Sequence, residues 1–170
     1  MPSSCHVALT PSWLASDRGI ITRHRFAYRE EGNPPILRPT VDVQLYLPPN
    51  GEWTTRALID TGAPITVFDR GAGDALLVRF DRAGAETGSI AILGAQRQIQ
   101  FETIDLCLAN DPSYVWSARV AFIKDPSFQM VFQGILGTEG FLDKWAVTFN
   151  KYYEYFELLP PDDAYDLYND

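Results

Sequence analysis

One carboxylate in this sequence stands in a setting suited to acid–base chemistry. It is Asp60, in the segment Leu58-Ile59-Asp60-Thr61-Gly62-Ala63. A glycine at this point permits a tight turn and close backbone approach, so a strand can end by presenting the carboxylate. Two carboxylates that share one proton can hydrolyse a peptide bond, because one takes a proton from water while the other polarises the carbonyl group. Asp60 is therefore the candidate catalytic residue, and Thr61, Gly62 and Ala63 are its candidate support.

The sequence contains a single Asp-Thr/Ser-Gly tripeptide. One carboxylate cannot form a pair, so an enzyme of this type needs a second copy of the chain to supply its own Asp60 across a two-fold axis. The sequence thus predicts a homodimer. The plainer interpretation of the tripeptide is a turn between two strands.

A second motif lies far downstream of Asp60. It is Ile135-Leu136-Gly137, followed by Thr138, which can cap a short helix reaching about Trp145. A turn at Asp60 alone would not require this later motif.

Together, the two motifs resemble the active-site segments of the retropepsin-like aspartic proteases. Residues 57–68 match the pattern apolar-apolar-Asp-Thr/Ser-Gly-Ala, two variable residues, threonine and two apolar residues, and Ile135-Leu136-Gly137 matches the later apolar-apolar-glycine. The resemblance covers roughly residues 40 to 158. It implies an all-β closed barrel with one short C-terminal helix, a ψ-shaped crossing of the two segments, and hydrolysis of peptide or protein substrates without a cofactor.

Two positions depart from the viral members of that family. Those members carry an aspartate after Gly-Ala and an arginine after the later glycine, and the two side chains pair within one subunit. Here the positions hold Pro64 and Thr138. Because both partners are replaced together, we expect a different brace around the active-site segment.

The family also closes a hairpin, the flap, over its substrate, which excludes water. The best candidate runs from Ser89 to Gln100, with Leu93, Gly94 and Ala95 at its tip. An ordinary core hairpin is the alternative, since glycine is expected at such a turn in either case.

The elements that must position these residues are mostly strands. Every second residue from 41 to 47 is valine or leucine, and a Pro48-Pro49-Asn50-Gly51 turn leads into a partner strand that ends at Asp60. Residues 89–93 and 97–108 form a second expected hairpin. The apolar residues of its second arm change parity between Phe101 and Ile104, which favours a bulge or bend near Glu102-Thr103.

The chain divides into three predicted parts. Residues 1–19 are irregular in composition, 20–158 form the retropepsin-like domain, and 159–170 are an acidic tail. The net charge is −8, and six of the negative charges follow Lys151. With no basic stripe, we expect no nucleic-acid partner.

Other chemistry is disfavoured by the sequence. No apolar run approaches the length of a membrane span. His6 and His24 have no cysteine or histidine partner at ligand spacing, so we expect no metal site. The distant Cys5 and Cys107 fit reduced thiols in a cytoplasmic protein.

Two functional hypotheses follow. The first is an aspartic endopeptidase that cleaves peptides with apolar residues around the scissile bond. The second is a catalytically inactive relative that keeps the fold as a dimerisation or peptide-binding module, which Pro64 and the core-hairpin alternative to the flap favour. A β-barrel of unrelated function with a coincidental turn is a weaker third.

Overall fold

The computed structural model describes residues 14–16, 19–21, 23–31 and 33–160. These residues form strands of 2 to 14 residues and one short helix. In chain order the elements are β1 (Leu14–Ser16), β2 (Gly19–Ile21), β3 (His24–Ala27), β4 (Arg29–Glu31), β5 (Ile36–Arg38), β6 (Thr40–Leu47), β7 (Gly51–Ile59), β8 (Val67–Phe68), α1 (Arg70–Ala75), β9 (Thr87–Ile92), β10 (Ala95–Leu108), β11 (Asp111–Ile123), β12 (Gly134–Leu136), β13 (Ala146–Asn150) and β14 (Tyr155–Leu159).

Six of the strands close into a mixed barrel. Their order is β11, β8, β12, β7, β6 and β10, and the pairing of β10 with β11 closes the ring. The β8–β11 and β7–β12 pairs are parallel, and the other pairs are antiparallel. Strand β9 adds to the outer part of β10. The predicted closed all-β barrel is therefore confirmed.

The hairpin that leads to Asp60 has the predicted form. Strands β6 and β7 pair in register from Thr40 opposite Leu58 to Leu47 opposite Gly51. Val41, Val43 and Leu45 are all fully buried. Alternate strand residues face the same side of a sheet, so the regular valine and leucine spacing turns that side of β6 into the core.

Strand β10 serves two apolar clusters on its opposite faces. The main core, inside the barrel, takes Ile104 and Leu106, and a second cluster built on Val67 takes Ile99 and Phe101. Pairing with β11 runs without interruption from Ile99 to Cys107, and the register shifts only between Cys107 and Leu108. Of the bulge or bend predicted near Glu102-Thr103, the bulge is therefore wrong. The parity change marks the point where the buried face of the strand changes sides.

The predicted helix after Thr138 is also wrong. Residues 138–144 form turns, and Glu139 among them makes an isolated β-bridge to Ile65. Within these turns, Leu142 N donates to Gly137 O at 3.0 Å and Asp143 N donates to Thr138 O at 3.0 Å. Gly140 has a φ of +94°, outside the helical region. A right-handed helix cannot pass through this residue, although Phe141 is buried as the pattern predicted.

The described helix lies elsewhere, at Arg70–Ala75, directly after β8. Asp69 caps it, because its carboxylate accepts a hydrogen bond from Ala72 N at 3.0 Å. The helix packs against β7 and β11. It therefore supports the strands on either side of the candidate site.

The strands nearest the two ends of the described residues lie outside the barrel. β3, β14 and β13 form a three-stranded sheet, and β1, inside the segment predicted to be irregular, pairs with β2 at the end of that segment. Residues 1–13 and 161–170, including Cys5 and most of the predicted tail, lie outside the described residues. Within the described part of the chain, no helix has the length and apolar character needed to cross a bilayer.

Candidate active site

Asp60 is the first residue after β7, at the end of the strand that the β6–β7 hairpin supports. Its backbone N donates to Leu136 O at 3.0 Å, and its carbonyl oxygen accepts from Ala63 N at 3.1 Å. Gly62 N donates to the carboxylate oxygen Oδ1 at 2.9 Å. Both the main chain and one carboxylate oxygen of Asp60 are therefore fixed, and the side chain stays half-buried rather than sealed in the core.

The two sequence motifs lie side by side. Strand β12 runs parallel to β7, with Leu136 opposite Ile59, and antiparallel to β8, with Ile135 opposite Val67. It thus fills the gap between the strand that enters the Asp60 turn and the strand that leaves it. The resemblance implied a ψ-shaped crossing of this kind, and the role of Ile135, Leu136 and Gly137 as that motif stays a prediction.

Gly137 passes so close to the Asp60 segment that no side chain fits. A Cβ atom added there would lie 2.6 Å from the carbonyl carbon of Ile65 and 2.8 Å from Ala63 O, with Ile65 O closer still. These neighbours are main-chain atoms that cannot move aside independently. Glycine at this position is therefore a steric requirement of the crossing.

A buried hydroxyl holds the same crossing from the other side. Thr66 is fully buried, and its Oγ1 accepts a hydrogen bond from Gly137 N at 3.1 Å. Thr66 N donates in turn to Glu139 O at 2.9 Å. The threonine of the motif therefore ties the two segments together.

We expect Thr66→Val to reduce stability by about 1–3 kcal/mol, because valine keeps the shape but leaves the buried Gly137 N–H without its acceptor. Thr66→Ser keeps the hydroxyl and is the matched control, with a smaller loss. Urea unfolding of the three proteins at one concentration measures the difference. A valine variant as stable as the parent would show that this hydrogen bond does not hold the crossing.

The backbone braces the positions where the viral side-chain pair is missing. Thr138 N donates to Ala63 O at 2.9 Å, and Glu139 N donates to Pro64 O at 3.0 Å. Ile65 and Glu139 form a parallel bridge. The segment from Ala63 to Thr66 is therefore held by main-chain bonds to residues 138 and 139.

The fold of this chain is similar to that of known structures. A retropepsin-like aspartic protease from Rickettsia conorii matches with a TM-score of 0.53 at 10% sequence identity, over 79% of this chain and 98% of that one. The chain has the retropepsin fold. EIAV protease complexed with the inhibitor HBY-793 matches with a TM-score of 0.42 at 20% identity, over 59% of this chain and 82% of that one. No family model and no curated protein matches the sequence.

In this retropepsin fold the hairpin predicted as a flap is present. Strands β9 and β10 pair from Thr87 to Ile92, and Leu93 and Gly94 make the turn with φ values of 51° and 78°. Two residues with positive φ are typical of a tight hairpin turn. Leu93 is 95% exposed at the tip, and Ala95 begins β10.

One face of this hairpin packs onto the active-site segment, from Ile92 beside the turn to Ile99 near the base. Ile92 and Ile99 belong to the second cluster together with Val67, and partly buried Ile65 and Ile135 contact the same cluster. The hairpin therefore lies on the side of the barrel where the two motifs meet. A role for it as a flap stays a prediction.

The described residues offer no obvious partner for Asp60 within the chain. Asp69 is the most deeply buried aspartate among them, at 4% exposure. Burial raises the pKa of its carboxyl group, while hydrogen bonds from the backbone amides of Ala72, Met130 and Gly71 oppose this rise. Those bonds fix Asp69 as a helix cap, so it is not available as a second catalytic carboxylate.

Sequence reasoning missed a charged group beside the site. Arg119 on β11 contacts both Glu86 and Glu139. Its only sequence signal is an arginine among the alternating apolar residues Ala118, Val120 and Phe122. Among the described residues, no group of three or more histidine, cysteine or acidic side chains is placed to hold a metal ion.

Proposed function

We propose that this chain is one subunit of a homodimeric aspartic endopeptidase with Asp60 as its catalytic residue. The observation that carries the proposal is the position of Asp60, at the end of a barrel strand and locked against Leu136 by the ψ-shaped crossing. Such a carboxylate is fixed in place yet open on one side. Two of them facing each other would provide the acid and the base that peptide hydrolysis needs.

In this mechanism a water molecule lies between the two Asp60 carboxylates. One carboxylate takes a proton from the water as the oxygen attacks the scissile carbonyl, and the other, protonated, donates to the carbonyl oxygen. The leaving amine then receives a proton from the pair. Gly62 N–H holds Oδ1 of each Asp60, so the other oxygen is left to meet the water.

A dimer follows from the count of carboxylates. Like charges a few ångströms apart do not both ionise readily, so the pair would share one proton and titrate as a unit. Thr61 and Gly62 are exposed at the tip of the Asp60 turn, where a second copy would have to approach. The Thr61 hydroxyl is available there for a hydrogen bond to the partner chain.

Apolar peptide substrates fit the surroundings of the site. Ile65 and Ile135 are only partly buried, and so is Ile90 in the candidate flap. A substrate side chain that covered these three residues would remove apolar surface from water. We therefore propose substrates with apolar residues next to the scissile bond, cleaved without a cofactor, and we retain the expected cytoplasmic location as a prediction.

The experiment is cleavage of an unstructured peptide pool by the purified protein between acidic and neutral pH. We expect cuts flanked by apolar residues, and inhibition by a peptide whose scissile amide is replaced by a secondary alcohol that mimics the tetrahedral intermediate. A metal chelator or a thiol-blocking reagent should leave the rate unchanged. No cleavage across this range by a folded dimer would refute the proposal.

An inactive peptide-binding or dimerisation module is the second candidate, and Pro64 favours it. Proline has neither an N–H nor a hydroxyl, so it cannot donate a hydrogen bond to the neighbouring carboxylate or to a substrate. Under this alternative the protein binds the alcohol-containing peptide no more tightly than the uncleaved peptide of the same sequence. Under the endopeptidase proposal it binds the alcohol at least about a hundredfold more tightly.

A further inference from the structure

Arg119 joins three segments of the chain beside the candidate active site. Its Nη1 donates to Oε1 of Glu139 at 2.8 Å, and its Nε donates to Oε2 of Glu86 at 3.1 Å. A second hydrogen bond from Nη2 makes the contact with Glu86 bidentate. The guanidinium carbon also lies 3.5 Å from the ring centroid of Phe101. One side chain therefore binds two carboxylates and an aromatic face.

Each partner belongs to an element of the site. Glu139 bridges Ile65 and holds Pro64 O through its own backbone N, so it is part of the support of the Asp60 segment. Glu86 is the residue before β9, and its carbonyl oxygen accepts from Phe101 N at 2.8 Å, at the base of the candidate flap. Arg119 thus connects the base of the flap to the active-site segment.

The positive charge of Arg119 holds together two negatively charged side chains, those of Glu86 and Glu139. Two carboxylates converge on one guanidinium, and its hydrogen bond holds the pKa of Glu86 below the ordinary value. Without Arg119 the two carboxylates would repel each other across the same gap. The side chains of Glu86 and Glu139 are 60% and 46% exposed, so ion pairs of this kind contribute little to global stability.

We propose that Arg119 is a positioning residue, which couples the base of the flap hairpin to the segment that carries Asp60. Its side-chain contacts add to the backbone hydrogen bonds that brace Pro64 and Thr138. The inference rests on the proposed function. It assigns to Arg119 no contact with substrate, and its effect on cleavage passes through Glu139 and Glu86.

The test compares Arg119→Met with Arg82→Met. Arg82 also pairs with a glutamate, Glu102, at 3.2 Å, and its side chain is 54% exposed. Both substitutions replace an arginine with methionine, so they change the net charge equally. We expect Arg119→Met to lower kcat/KM about ten- to a hundredfold at equal dimer concentration, with a change in Tm below about 4 °C. Arg82→Met should stay within about twofold of the parent.

A second substitution identifies repulsion as the cause. Adding Glu86→Gln to Arg119→Met removes one of the two unpaired carboxylates, so the double variant should cleave faster than Arg119→Met alone. A side chain that only filled space would show no such rescue. Equal activity of Arg119→Met and the parent, or an equal loss in Arg82→Met, would overturn the proposal.

Hydrogen exchange gives a readout that does not need activity. Arg119→Met should speed exchange of the amides of Thr66, Phe101 and Glu139, whose hydrogen bonds lie on the two sides of the connection. If the parent cleaves no peptide but this change occurs, the proposed function fails while the coupling stands. If exchange of these amides is unchanged in Arg119→Met, the coupling itself is refuted. If Arg119→Met does not fold, Glu139→Gln takes its place in the same comparison.

Discussion

Asp60→Asn will lower the rate of peptide cleavage by about 10⁴-fold or more, because an amide can neither take a proton from water nor share one with a second carboxylate. The loss should fall on kcat. Peptide binding should persist, since the apolar surroundings of the site are unchanged. Cleavage of a fluorogenic peptide, measured at saturating substrate, gives the comparison.

The variant should also remain folded and dimeric. An asparagine oxygen can still accept the hydrogen bond from Gly62 N, and the backbone bond from Asp60 N to Leu136 O is untouched. Asp74→Asn is the matched control, because Asp74 is an exposed aspartate on α1 that pairs only with Arg70 among the described residues. Full activity in the Asp60 variant would remove this residue from the mechanism.

Gly137→Ala will destabilise the protein by about 3 kcal/mol or prevent folding altogether. The added methyl group would overlap the carbonyl group of Ile65 and lie 2.8 Å from Ala63 O. Relief would require the two motifs to separate, which would also break the hydrogen bond from Gly137 N to Thr66. Denaturant unfolding at a fixed protein concentration measures the loss, since a dimer's apparent stability depends on concentration.

Gly51→Ala is the control for this substitution. A Cβ atom at Gly51 would lie 3.7 Å from its nearest neighbour, Ala75 O, which is ordinary contact, and the residue does not have a positive φ. We expect this variant to unfold within about 1 kcal/mol of the parent. If Gly137→Ala lost equally little stability, the two motifs could not approach each other as closely as described here.

Local patterns in the sequence were sufficient to predict the barrel hairpins. The spacing of Val41, Val43 and Leu45 identifies the buried face of β6, and the turn after Leu47 sets its partner. The hairpin at Leu93-Gly94 follows from the same logic, since its apolar runs flank a glycine. In both cases the information lies within a few residues of the element.

The two errors come from features that are not local. A parity change indicates a bulge or bend in a strand that buries one face, whereas in β10 Ile99 and Ile104 face different apolar clusters. The helix after Thr138 was favoured by a capping residue and apolar spacing. There, the close packing of Gly140 against Thr66 and the backbone of Arg119 imposes a turn instead.

In the candidate site, too, the features set by local sequence could be predicted and those set by distant residues could not. Asp60, Gly62 and Gly137 could be proposed from the sequence because their motifs constrain residue types strongly. The Arg119 connection was not identified, because its partners Glu86 and Glu139 are distant in sequence and meet only through the pairing of β10, β11 and the segment after β12. The arginine among the apolar residues of β11 is the only signal of this group in the sequence.

The most direct test of the account is to mix parent and Asp60→Asn subunits and refold them together. If each active site needs one Asp60 from each chain, about a tenfold excess of the variant will leave most parent chains in inactive mixed dimers. Activity per parent chain should then fall to about a tenth. Activity that stays proportional to the amount of parent chain would show that each chain carries a complete site, and would contradict the shared Asp60 pair.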